Sequence, residues 1–138
     1  MEALHIHYLA VFGAALISLV IGGLWYSPIL FSKSWMQACG ITEAQAKSMK
    51  VGRVFGLALL ANLVMAFNLA AFLGAKATLQ FGLFAGLATG LATGLGWVAM
   101  SLGVIYLFEQ RPFKLWLINS GYQVLTYSVM GAILGAWK

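Results

Sequence analysis

The chain has 138 residues, of which 62% are hydrophobic and 8% charged, against about 25% charged in soluble domains, so it cannot clothe its surface in water. Its length suits one domain, residues 1–138, and leaves no room for an added soluble catalytic domain. The net charge of +5 sits beside apolar runs, as anionic lipid headgroups require, and does not point to nucleic acid; the single Cys39 excludes an intramolecular disulfide and a multi-cysteine metal site.

The first apolar run begins after Glu2, has no basic leader and ends in Gly-Leu-Trp-Tyr-Ser-Pro without small-residue cleavage spacing. It is therefore expected to stay as a permanent span and not to be removed as a secretory signal. Four windows free of Lys, Arg, Asp and Glu follow one another along the chain, each able to hold about 20 residues, enough to cross a hydrocarbon core of roughly 30 Å. An open sheet in lipid would leave backbone groups unpaired. The expected architecture is thus all-α: a polytopic membrane protein with a four-transmembrane-helix bundle, spans near Leu4–Tyr26, Val54–Leu73, Gly82–Phe108 and Leu115–Trp137.

The connection between the first two spans, residues 27–53, is expected to be cytoplasmic and to carry a short interfacial helix. Ser27-Pro28 reads as an N-cap with proline at the first helical position, and Gly40 as the stop. Thr42-Glu43-Ala44-Gln45 reads as a capping box opening a second helix that runs into the second span.

The third span carries a four-residue repeat that places Gly82, Gly86, Gly90 and Gly94 on one ridge. Residues four apart nearly overlie one another on a helix, so this ladder carves a groove where another backbone can approach. Packing within the bundle and packing between subunits both satisfy it. Shorter versions occur at Gly52-x-x-x-Gly56 and Gly131-x-x-x-Gly135.

Lys33, Lys47, Lys50 and Arg53 lie in the first connection and Arg111 and Lys114 in the third, against Lys76 and Lys138 on the opposite side. The bias places the first and third connections in the cytoplasm and both termini outside, in a bacterial inner membrane. Trp25, Tyr26, Trp35 and Trp116 are the expected interfacial anchors on the cytoplasmic side.

No charged residue falls inside a span, which disfavours proton-coupled exchange. Neutral polar groups remain: Ser18, Asn62, Ser101 and Gln123 all lie about 12 to 14 Å from the cytoplasmic boundary, and Asn119 and Thr126 extend the level on the last span. These six are expected to converge, either bonding one another in a dry core or lining a neutral pocket. His5 and His7 point about 200° apart on a helix and cannot readily share an ion, and no nucleophile elbow, phosphate loop or HExxH motif exists. Catalytic, metal-binding and cofactor-binding residues are therefore not expected.

The segments Gly23–Met36, with Trp25-Tyr26-Ser27-Pro28, Tyr106–Glu109, and Leu115–Gln123, with Trp116-Leu117-Ile118-Asn119-Ser120-Gly121-Tyr122, resemble segments of the bacterial "domain of unknown function 1761" family. The resemblance spans essentially the whole chain and implies a small four-span membrane protein without assigned chemistry. Ser32 stands where that pattern has glycine and Gln123 where it has histidine, which weakens any proton-handling role at position 123. The leading functional expectation is a non-enzymatic protein that meets a second copy or a membrane-protein partner through glycine-lined faces, surrounded by membrane lipids. The alternative is a transporter or channel for a small neutral solute.

Overall fold

The computed structural model describes residues 6–74 and 82–137. The expectations placed on Leu4, His5, Lys76 and Lys138 lie outside them. The described residues form seven α-helices: α1 (Tyr8–Trp25), α2 (Ser32–Cys39), α3 (Glu43–Lys47), α4 (Val51–Gly74), α5 (Leu83–Thr93), α6 (Met100–Phe108) and α7 (Phe113–Ala136). A six-residue π-helical segment, Gly94–Ala99, joins α5 to α6 in one continuous rod.

Three stretches are long and apolar enough to cross a membrane: Tyr8–Trp25, Val51–Leu73 and Leu83–Phe108. They point to a membrane protein. The fourth long helix, α7, has 24 residues and thus sufficient length, but Lys114, Asn119, Ser120, Gln123, Thr126 and Ser128 lower its apolarity.

Each long rod runs antiparallel to its neighbour in the chain. Tyr8 of α1 stacks on Phe67 near the end of α4 at 6.4 Å between ring centroids. Val11, Ala14 and Ala15 meet Ala66, Leu69, Ala70 and Leu73, and Met130 of α7 closes this cluster. α7 touches α1, α2, α4 and the whole α5–α6 rod, so it is the hub of the fold. That position accounts for its composition. A helix covered by protein can keep hydroxyls and amides that a lipid-facing one would expose to hydrocarbon, and Ser120, Thr126 and Ser128 are buried.

The first connection corrects the sequence reading at two points. Residues 27–31 form turns, and α2 starts at Ser32, not Pro28. Ser27 Oγ donates to Leu24 O at 2.6 Å, finishing α1 instead of starting α2. Further on, α3 stops at Lys47 and does not run into α4, because Ser48 turns back to bond Ala44 O and Gln45 O. Gly40 does end α2, in the left-handed region at φ 75°, with Ile41 N–H reaching Met36 O at 3.0 Å. Thr42 and Gln45 form the reciprocal capping box.

Candidate functional site

Glycine decides how closely the α5 rod meets α7. A Cβ at Gly86 would fall on Gly131 O, one at Gly90 on Tyr127 O, and one at Gly131 back on Gly86 O. At Gly94 it would come within 2.9 Å of Val124 Cα, and at Gly135 within 2.7 Å of Gly82 O. Main chain meets main chain along three turns, so Gly86, Gly90 and Gly94 are occupied inside the chain, together with Gly131 and Gly135. A Cβ added at Gly82 meets nothing within 4 Å, although its carbonyl reaches Gly135. Nor does one added at Gly52 or Gly56 on α4.

The other end of the hub is aromatic. Tyr26 Oη donates to Asn119 Oδ1 at 2.7 Å, and Asn119 Nδ2 donates to Tyr106 Oη at 2.8 Å. One amide therefore ties the end of α1 through α7 to α6. Trp25 Nε1 donates to Ile118 O at 2.9 Å, and Tyr26 packs edge-on against both Trp35 (5.3 Å) and Tyr122 (5.4 Å). Trp116 Nε1 donates to Ala99 O at 2.8 Å. That carbonyl closes the π segment, where the widened turn disturbs the regular i→i−4 ladder. The four expected anchors thus share one end of the molecule, three of them through indole or phenol hydrogen bonds to the protein.

The six residues expected to converge do not hydrogen-bond one another. Ser18 Oγ donates to Ala14 O at 2.8 Å and Ser101 Oγ to Trp97 O at 2.6 Å, each on its own helix, and Ser101 is exposed. Asn62 is buried on α4. Asn119 belongs to the aromatic bridge. Gln123 Oε1 and Thr126 Oγ1, with Ser120 Oγ, are buried without a hydrogen-bond partner among the described residues. Sequence reasoning missed Tyr106 and Tyr122 as partners of this level. The signal available was Tyr106 standing three residues before Glu109, at the interfacial depth of Tyr26.

A cleft of about 620 Å³ opens between α4 and the α5–α6 rod. Asn68 and Phe72 line one wall, Thr89, Thr93 and Trp97 the other, and Tyr127 of α7 forms the floor. Thr89 and Thr93 donate to the carbonyls four residues back. Among the described residues no carboxylate, lysine or arginine lines it.

Among the described residues, Lys, Arg, Asp and Glu all lie in or beside the first and third connections. Arg111 pairs with Glu109 at 2.5 Å and lies 5.9 Å from the Tyr106 ring centroid. Burial pushes the Cys39 thiol above its ordinary range, while Arg111 pulls it partly back. Cys39 closes α2 and Arg111 follows α6, so the first and third connections are neighbours. Among the described residues no group of three His, Cys, Asp or Glu side chains could hold a metal.

The profile of one protein family, described as a protein of unknown function (DUF1761), matches residues 9–135. The chain belongs to this family. No curated protein and no solved structure matches. The DUF1761 match runs from the second residue of α1 to the last turn of α7, so it takes in the glycine seam, the Tyr26–Asn119–Tyr106 bridge and the lateral cleft together.

Proposed function

We propose that this DUF1761 protein is a four-span, non-enzymatic membrane protein that works by helix–helix association, as a homo-oligomer or as a subunit beside another membrane protein. α7 is its fourth span, enclosed by the other three. The two basic connections face the cytoplasm and both termini face outside, in a bacterial inner membrane, with α2 lying at the interface. The charge bias supports this orientation, and the proximity of Cys39 to Arg111 supports the two connections sharing one side.

The observation that carries the association reading is the empty glycine pair on α4. The ladder on α5 is filled by α7, whereas Val51–Leu57 of α4 is exposed throughout and nothing approaches Gly52 or Gly56. In lipid, two helices attract mainly through close van der Waals fit, which small residues permit. The exposed first two turns of α4, with both glycines open, therefore supply a surface for a second copy. Single-molecule photobleaching in nanodiscs tests it. Gly56→Leu is expected to shift a multimeric wild-type protein to monomers while leaving its thermal unfolding unchanged. A monomeric wild type, or an unmoved distribution in Gly52→Leu/Gly56→Leu, refutes the reading.

A second reading rests on the orphaned oxygens of Ser120, Gln123 and Thr126. Buried polar atoms without partners seek water or a solute, so these could line a path for a neutral solute. Gln123→Leu separates the two: lost solute flux with intact assembly favours transport, and weakened assembly without a flux change favours association.

A further inference from the structure

We propose that α1, α4 and α7 enclose a buried water-binding site near their mid-length, walled by Ser18, Asn62, Tyr122, Gln123 and Thr126. The inference draws on two of the orphaned oxygens that the transport reading also uses, but it requires no passage of a solute.

The packing brings these residues to one layer. Ala14, Ala66 and Met130 are buried in the cluster where the three helices meet. Ser18 stands four residues after Ala14, Asn62 four before Ala66 and Thr126 four before Met130, each step leading toward the basic end. Residues four apart overlie one another on a helix, so a polar layer lies directly beneath the apolar one. Ser18 and Thr126 are 0% exposed and Asn62 6%. Tyr122, one turn before Thr126, reaches across to α1, where its Oη lies 3.5 Å from Ser18 O, and it interacts with Thr126 as well. Ser18 and Thr126 therefore share one wall.

The polar atoms of this layer do not satisfy one another. Thr126 Oγ1 and Gln123 Oε1 are buried without a hydrogen-bond partner, and the Asn62 amide makes no hydrogen bond among the described residues. At 3.5 Å the Tyr122 contact is long for an O–H donor, which leaves that proton free to turn elsewhere. Ser18 Oγ donates to Ala14 O and keeps lone pairs that accept. Ser120, six residues before Thr126 and about 9 Å from it along the axis, lies outside the layer.

The chemistry of the wall selects the occupant. The Thr126 hydroxyl needs an acceptor for its proton and Gln123 Oε1 needs a donor, so one ligand must do both. A metal cation accepts nothing, and it would stand buried without a carboxylate, because the described acidic residues lie in or beside the connections. Water donates and accepts at once, and buried waters ordinarily hold two to four polar partners, a number the five wall residues supply.

Water-selective NOE and ROE spectra of the protein in nanodiscs test this. Cross-peaks from water, with the sign of a long-lived bound molecule, are expected at the Asn62 and Gln123 side-chain amides and at the Thr126 methyl. The Leu73 methyls, equally buried about 16 Å further along α4, should show none. Thr126→Val keeps the shape and removes the hydroxyl. It should erase the cross-peak at Gln123 and lower the unfolding temperature by a few degrees, whereas relief of a dry, unpaired hydroxyl would raise it. Absence of the three cross-peaks in the wild type overturns the inference, as do cross-peaks at Leu73, which would mean general penetration of the bundle, and a higher unfolding temperature for Thr126→Val. Efflux of glycerol and urea from loaded vesicles is scored separately. Bound water without efflux supports this inference and ends the transport reading, and efflux without bound water does the opposite.

Discussion

Asn119 uses both ends of its amide, accepting from Tyr26 and donating to Tyr106, so its removal strips partners from two phenols at once. Asn119→Leu is expected to cost more than Tyr26→Phe or Tyr106→Phe alone, about 1 to 3 kcal/mol, read as a lower unfolding temperature in detergent. If the leucine variant melts with the wild type, the bridge does not hold the three helices. Gln110 offers the opposite case, since φ 56° puts a side-chain-bearing residue in the left-handed region. It terminates α6 with Arg111 N–H on Tyr106 O and its own N–H on Leu107 O, a helix ending that ordinarily selects glycine. Gln110→Gly should therefore stabilise by about 0.5 to 1 kcal/mol, and a loss of stability would show that the glutamine side chain compensates for its backbone.

At the scale of elements, glycine substitutions should divide cleanly by what lies opposite. Gly90→Ala drives a methyl group into Tyr127 O and must part α5 from α7, at a cost of about 1 to 3 kcal/mol. Gly13→Ala meets nothing within 4 Å and should be neutral or better by up to about 1 kcal/mol from helix propensity. Thermal unfolding of the pair in one detergent decides it, and equal melting temperatures would mean that the two backbones are not in contact. The same scale shows what composition and pattern reveal. The long charge-free runs, the Thr42–Gln45 box and the Gly40 stop are local signals, and each element they mark is present. At the polar level the six residues make no hydrogen bonds to one another. Serine and threonine on a helix can satisfy themselves on the carbonyl four residues back, as Ser18, Thr89, Thr93, Ser101 and Ser128 all do. The bridge that does form joins residues 93 and 13 positions apart, and no local pattern connects those.

For the molecule as a whole, the sequence made α7 simply the last of four spans, and only the packing shows it as the hub. Its six polar or charged residues dilute the very apolarity by which spans are recognised, and what makes them tolerable is a tertiary fact, the cover given by three other helices. Sidedness has a native reporter, because Cys39 is the sole thiol and lies outside the spans. A membrane-impermeant maleimide should label it in inverted vesicles and not in intact cells, with the rate rising with pH past the ordinary thiol range near 8.5. Labelling from the outside of intact cells would invert the proposed orientation.

The π segment, Gly94–Ala99, also sets the angular phase of everything after it. A π turn accommodates one residue more than the α-helical path would, so shortening the chain by a single residue there, for instance by deleting Gly96, should let the rod relax to plain α geometry. The portion beyond would then keep its angular phase and the Tyr106 phenol its place at Asn119, whereas a plain α path through all six residues would turn that portion by about 100° and swing the phenol away while Gly86 and Gly90 kept their seats against α7. The π turn thus acts as the indexing pin that holds two otherwise independent contact surfaces of the same rod in register with one partner helix.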